Sequence, residues 1–248
     1  MRELVMRYLN HDLSRRSFLK SLAAAGFTLA AAKSILRSLT PLAEAQTVAP
    51  EAIKIMEGRG GELLAEQLKA AGMKYFFYGN GSPAAPILDA LVDRPEIKIV
   101  IGTSENIVMS LAAGYSLASG EPSFVNVTTV VGTASLMANL YNAKKDHLPV
   151  VVTANTHDSR GTARDGFEDV DDLVEATKQF TRWGFQVNRA NRIPELTRMG
   201  LKLATTPPGG PVYLAYPRRI CWLRRPEVRL LCARSLISQP GSALTAER

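Results

Sequence analysis

The chain has 248 residues, 46% of them hydrophobic and 21% charged, which excludes a disordered chain and leaves one large core or two small ones. Residues 1–45 carry +4 and residues 218–248 carry +5, so the total of +7 leaves −2 for residues 46–217. The basic excess sits in the two ends, which argues against a folded basic face for nucleic acid.

In chain order, Ser14-Arg15-Arg16-Ser17-Phe18-Leu19-Lys20 is followed by an apolar run from Leu22 to Ala32 and by Ala43-Glu44-Ala45 before Gln46. This stretch resembles a twin-arginine export signal with a small-x-small cleavage site. The resemblance implies that residues 1–45 are removed and the mature chain is exported to the periplasm. The alternative is an amphipathic or mis-started N-terminus on a cytoplasmic protein. The apolar run is shorter than the roughly 20 residues that cross a bilayer, so no membrane span is expected in the mature chain. Residues 46–57 read as a linker.

From residue 58 to residue 217 helical and strand patterns alternate. Gly61–Ala71 is an amphipathic helix carrying Leu63, Leu64 and Leu68. Lys74–Tyr78 is an apolar strand running into the turn Gly79-Asn80-Gly81-Ser82-Pro83, and Ile87–Val92 is a second helix. The strand Ile97–Ile101 ends in Gly102-Thr103-Ser104-Glu105, and a helix begins at about Asn106. The strand Phe124–Thr128 ends in Thr129-Val130-Val131-Gly132-Thr133, before a helix through Leu136, Leu140 and Tyr141. Leu148–Thr153 is a strand, Asn155–Glu168 a polar loop, Asp169–Phe180 a helix, Trp183–Val187 a strand, Pro194–Thr205 a helix and Pro211–Ala215 the last strand. Alternation of this kind predicts an α/β fold with a mainly parallel sheet and helices on both faces. Function in such sheets sits at the carboxyl ends of strands, which here are Gly79–Pro83, Gly102–Glu105 and Thr128–Thr133. The tail from 218 to 248 holds seven arginines, Cys221 and Cys232 but no sustained period, and is expected to be irregular. A cysteine spacing of eleven leaves pairing open.

Glu105 is an acid standing alone where a strand hands over to an apolar helix. Two readings follow from the residues: a helix-start carboxylate favoured by about 0.3–1 kcal/mol, or an acid kept for chemistry. The Gly79–Pro83 turn lacks the third glycine of a dinucleotide loop, since Ala84 follows. His11, His147 and His157 have no metal-ligand spacing, and no metal site is expected.

Four segments recur together: Glu105-(x)8-Gly114-Tyr115-(x)4-Gly120; Asn126-(x)5-Gly132-Thr133; Pro149-Val150-Val151-Val152-Thr153-Ala154; and Pro207-Pro208-Gly209-Gly210-Pro211-Val212-Tyr213-Leu214. In order and spacing they resemble the pyrimidine-binding domain of thiamine-diphosphate-dependent enzymes of the benzoylformate decarboxylase and acetolactate synthase group. The resemblance runs roughly from Gly58 to Pro217. It implies that Glu105 is the catalytic acid, hydrogen-bonded to N1′ of the cofactor's aminopyrimidine and so promoting loss of the thiazolium C2 proton. It also implies that Gly79, Asn80, Gly81 and Ser82 face the substrate and the reactive end of the cofactor. Related decarboxylases have Gly-Asn-Pro-Gly at that turn, so Gly81-Ser82-Pro83 departs from the pattern; Ser82 is either a substrate contact or an ordinary turn serine. Thr128 stands where benzoylformate decarboxylase-like members carry histidine, and a hydroxyl does not relay protons near neutral pH. That substitution counts against decarboxylation with protonation of the carbanion and in favour of carbon–carbon ligation or another acceptor chemistry. Gly132-Thr133 is expected to let the backbone approach the pyrimidine ring, and His157 is a further candidate for the pocket.

The family holds Mg²⁺ and the diphosphate with a Gly-Asp-Gly…Asn motif in its C-terminal domain, and no Gly-Asp-Gly occurs in this sequence. The resemblance therefore implies that this chain binds only the pyrimidine end of thiamine diphosphate, with Mg²⁺ in a partner domain. The expected partners are a second copy in a homodimer or higher oligomer, or a chain carrying the diphosphate-binding domain; the substrate is a 2-oxo acid. The helix from Thr133 with Leu136, Leu140 and Tyr141 is expected on the pairing face. A truncated or frame-shifted product and a natural short subunit are both compatible with the sequence. The alternative to an enzyme component is a non-catalytic remnant or dimerisation module.

Overall fold

The computed structural model describes residues 2–9, 13–28, 31–32, 35–36, 53–156, 164, 166, 170–222 and 224–231. They belong to two compact units, Met1–Ala52 and Ile53–Arg248. In the first unit, helices α1 (Arg2–Leu9) and α2 (Arg15–Ala24) enclose a small cluster of Tyr8, Phe18, Leu22 and Ala32. Ser14 caps α2 by accepting from the amide of Ser17 at 3.2 Å, so the two arginines open the helix. Tyr8 stacks on Phe18 with ring centroids 4.6 Å apart. The stretch Ala43–Ala45, expected to be a cleavage site, lies outside the described residues. No helix among the described residues is long and apolar enough to cross a membrane.

In the second unit the chain runs β1 (Ile53–Arg59), α3 (Gly60–Ala70), β2 (Tyr75–Gly79), α4 (Ala85–Val92), β3 (Lys98–Ile101), α5 (Glu105–Ser119), β4 (Ser123–Thr128), α6 (Thr129–Lys145), β5 (Val150–Thr156), α7 (Leu173–Thr177), β6 (Trp183–Gln186), α8 (Ile193–Thr205), β7 (Val212–Pro217), α9 (Arg218–Trp222) and β8 (Arg224–Leu231). Six strands pair in the order β3-β2-β4-β5-β7-β6, every pair parallel. Period-two alternation assigns the two faces. Phe76, Phe124, Val151, Leu214 and Tyr216 pack on the side of α3, α4 and α8. Phe77, Val125, Val127, Val152 and Tyr213 pack on the side of α5 and α6. Helices on both faces explain why β4, β5 and β7 read as nearly continuous apolar runs.

The connection after β2 leads to β3 on one side of it, and the connection after β4 leads to β5 on the other. The strand order therefore reverses between β2 and β4, and the crevice at their carboxyl ends is where open α/β sheets bind ligands.

Two boundaries differ from expectation. Residues 53–57, expected in a linker, lie in β1, and β1 pairs antiparallel with β8, in the part of the chain expected to be irregular. The register shifts between Met56, opposite Val228, and Gly58, opposite Arg225, so two residues face one there. Pro226 falls at that bulge, where its missing N–H is tolerated, and it hides the strand's period from sequence inspection. The helix α9 also packs inward: Ile220 and Cys221 are buried with the α3 and α8 core, and Cys221 is a buried free thiol. Cys232 lies outside the described residues.

A smaller difference concerns α6. It starts at Thr129, four residues before the expected start at Thr133, because the chain leaves the sheet after Thr128. The β-branched Val130 and Val131, expected in the turn that follows the strand, occupy its first turn.

Candidate functional site

Glu105 is the first residue of α5, preceded by an extended Ser104 with φ −153° and ψ 159°. Among the described residues its carboxyl makes no hydrogen bond and no ion pair. Two glycines flank it. A Cβ added to Gly79 would lie 2.8 Å from Cγ of Glu105, and one added to Gly132 would lie 3.1 Å from Cγ and 3.2 Å from Oε1. Gly79 ends β2 and Gly132 lies in the first turn of α6, so the carboxyl sits in a slot at the β2–β4 switch point. Both walls are glycine because any side chain would occupy the acid's own volume.

The apolar sequence neighbours expected to shield this acid are Ile101 and Gly102 before it and Ile107, Val108 and Leu111 after it. The structure buries Gly102 and Val108 but places Ile101, Ile107 and Leu111 outward, at 63%, 45% and 44% exposure. The dry side of the slot comes instead from Gly79 and Gly132, backed by buried Val127, whose Cβ would lie 3.0 Å from a Cβ on Gly132. Val108 and Met109 continue the buried face of α5.

The neighbouring turn is tied to β4. Thr128 donates from Oγ1 to the carbonyl of Asn80 at 2.6 Å, and Tyr78 donates from its hydroxyl to the carbonyl of Gly81 at 2.8 Å. Gly81 has φ +138°, and a Cβ there would lie 1.3 Å from Oγ1 of Thr128, so only glycine fits. With its proton given to Asn80, the Thr128 hydroxyl is a latch between the turn and β4, not a free donor. Asn80 and Ser82 are exposed beside it, with Ser82 opening a short 3-10 turn. Gly79, Asn80, Gly81, Ser82, Glu105, Thr128 and Gly132 thus gather around one crevice.

Thr133 faces away from that crevice. It is buried, its Oγ1 donates to the carbonyl of Thr129 at 2.8 Å, and the same oxygen lies 2.7 Å from the hydroxyl of Tyr213 on β7. Burial pushes the Tyr213 phenol well above its ordinary value. Tyr213 read as part of an apolar strand and of the Pro207–Leu214 segment, with no role for its hydroxyl; the available signal was that a buried tyrosine needs a partner for that group. Thr129 was also unremarked. It is buried with φ 37°, a conformation unusual for a β-branched residue. Among the described residues its Oγ1 has no partner, and the same holds for Oδ1 of Asn126 and Oδ1 of Asn155 near the ends of β4 and β5. Asn155 and Thr156 belong to β5 and not to a loop. His147 is exposed, and His157 and His11 lie outside the described residues. Among the described residues no group of acids, histidines or cysteines could hold a metal ion.

An unpartnered acid in a glycine slot, beside a buried hydroxyl that has no partner among the described residues, leaves polar groups available to a ligand lying close to backbone. The comparisons with known proteins bear on the domain as a whole. Residues 58–176 match the family described as thiamine pyrophosphate enzyme, N-terminal TPP binding domain. The chain is 31% identical over 153 residues to benzoylformate decarboxylase of Pseudomonas aeruginosa, a match covering 61% of this chain and 28% of that protein. It is 26% identical over 161 residues to the acetolactate synthase catalytic subunit of Aspergillus candidus, covering 65% of this chain and 23% of that one. Among solved structures, the thiamine diphosphate-dependent 4-hydroxybenzoylformate decarboxylase of Rhodococcus jostii RHA1 superposes with a TM-score of 0.66 at 27% identity, over 75% of this chain and 34% of that one. The chain thus spans about a quarter of the length of these two curated relatives.

Proposed function

We infer that this chain, whose residues 58–176 belong to the thiamine pyrophosphate enzyme N-terminal domain family, supplies the pyrimidine-binding half of a thiamine-diphosphate site acting on 2-oxo acids, with Glu105 as the activating acid. The observation that carries this reading is the unpartnered Glu105 carboxyl held between Gly79 and Gly132. Thiamine diphosphate, when bound, supplies the nucleophilic carbon that adds to the oxo group of the substrate. The chain's own residues do the rest of the pyrimidine-side work. Glu105 would hydrogen-bond a ring nitrogen of the bound pyrimidine. The glycine walls keep water from competing for that hydrogen bond and let backbone approach the ring. The Thr128 latch fixes the Gly79–Pro83 turn at the substrate side. Decarboxylation and carboligation both remain within this reading.

The diphosphate and Mg²⁺ are assigned to a diphosphate-binding domain, with which these residues share one site. The second reading is a non-catalytic or dimerisation module.

The test compares wild type with Glu105→Gln, each supplied with a chain carrying a diphosphate-binding domain and Mg²⁺. Exchange of the C2 proton of thiamine diphosphate is followed by NMR after acid quench. An amide keeps the shape but cannot hold and release the proton, at a cost of about 3 kcal/mol, or roughly a hundredfold in rate. Equal rates would leave the second reading.

A further inference from the structure

We propose that Tyr213, acting through Thr133, is a positioning residue for Glu105: together they hold the strained first turn of α6, whose Gly132 is one wall of the carboxyl's slot. This rests on the reading of Glu105 as the acid of the site, but its geometry stands separately.

Proton counting fixes the direction of the chain. Thr133 has one hydroxyl proton, which it donates to the carbonyl of Thr129, an acceptor only. The contact of 2.7 Å between Oγ1 of Thr133 and the hydroxyl of Tyr213 must then be donated by the tyrosine. The order is Tyr213 to Thr133 to the Thr129 carbonyl, with every proton assigned. Burial keeps the phenol protonated and so keeps it a donor.

The end of this chain is the strained residue. A β-branched side chain at φ 37° is strained and persists only where its surroundings over-determine it. The Thr129 hydroxyl is buried and has no partner among the described residues. The Thr129 carbonyl, held by Thr133, is the group that fixes the turn. Three residues further on, Gly132 meets Cγ and Oε1 of Glu105. The opposite wall, Gly79, belongs to β2 and does not depend on this chain. Cutting the chain should therefore loosen one wall of the slot and leave the other.

The experiment is an NMR double-substitution cycle on the full chain, with no cofactor added. Glu105→Gln is introduced into wild type, Tyr213→Phe, Thr133→Val and Thr133→Ser, and the resulting changes in the amide resonances of Gly79 and Gly132 are compared. In wild type both glycines should respond to Glu105→Gln. In the Phe and Val backgrounds the response of Gly132 should fall severalfold while that of Gly79 is retained. Thr133→Ser, which keeps the hydroxyl, should restore the response of Gly132. If Phe or Val prevents folding, Thr133→Ala, which only removes atoms, takes its place. An undiminished Gly132 response in folded Thr133→Val or Thr133→Ala, or an equal loss at both glycines, would overturn the proposal and leave Tyr213 as core filling. Since the readout needs no turnover, it fails or succeeds independently of the C2 exchange test of Glu105.

Discussion

At the residue scale the site is defined by what its glycines exclude. Gly79→Ala places a methyl 2.8 Å from Cγ of Glu105, which is too close for contact and is met by a buried strand on one side and a helix start on the other. Overpacking of this kind costs about 1–3 kcal/mol or forces the smaller mobile group to move. The group free to move is the Glu105 side chain, which has no hydrogen bond to hold it. Gly79→Ala is therefore expected to cost less than about 2 kcal/mol in urea unfolding, yet to abolish the C2 exchange of the completed site. Exchange at the wild-type rate in a folded Gly79→Ala would show that the slot is not where the acid works. Glu105 and its glycines were legible in the sequence because an acid at a strand end and glycines at neighbouring strand ends are local signals. Thr129 and Tyr213 were not, because a positive φ and an 80-residue-distant hydroxyl contact leave no mark on spacing.

At the element scale, the six parallel strands were legible because each is a short apolar run bounded by turn residues, and their parallel pairing followed from the alternation with helices; their order in the sheet leaves no local signal. The ends of the domain were not. The β1–β8 pair is interrupted by a bulge at Pro226, and α9 is only five residues long, so neither shows a period. Their packing is nonetheless tight: a Cβ on Gly60, the first residue of α3, would lie 2.2 Å from the carbonyl oxygen of Ile220 and 2.9 Å from Cα of Cys221. Two truncations separate the contributions. Ending the chain after Trp222 should remove only the partner of β1, so that the amides of residues 53–59 exchange freely while those of β4 and β5 stay protected. Ending it after Pro217 also removes buried Ile220 and Cys221, at a cost of about 3 kcal/mol or more in urea unfolding. Equal stability of the two truncations would show that α9 contributes nothing to the core.

At the scale of the whole molecule, the sequence placed Leu136, Leu140 and Tyr141 together on a pairing face, and the structure divides them. Leu136 and Leu140 have 0% exposure within the chain's own core, whereas Tyr141 is 46% exposed. On α5 and α6 the large apolar side chains left open with Tyr141 are Ile107, Leu111 and Leu117 on α5 and Val131 on α6, at 45%, 44%, 69% and 56% exposure. The two helices form one layer, since Nδ2 of Asn139 on α6 donates to the carbonyl of Asn106 at 3.0 Å and to Oγ of Ser110 at 2.8 Å on α5. That layer carries Glu105 at its edge, so a diphosphate-domain chain or a second copy covering it would also close the slot. Leu111→Lys tests this directly. Because Leu111 is exposed, the substitution should change stability by less than about 0.5 kcal/mol. At the centre of a buried interface the same charge should weaken association by about 2 kcal/mol or more, roughly thirtyfold, as read by sedimentation velocity with and without a diphosphate-domain chain. Leu140→Ala supplies the contrast: it should cost about 2–5 kcal/mol of stability and leave the association of the folded fraction unchanged. Association unaffected by Leu111→Lys would remove α5 and α6 as the covered face.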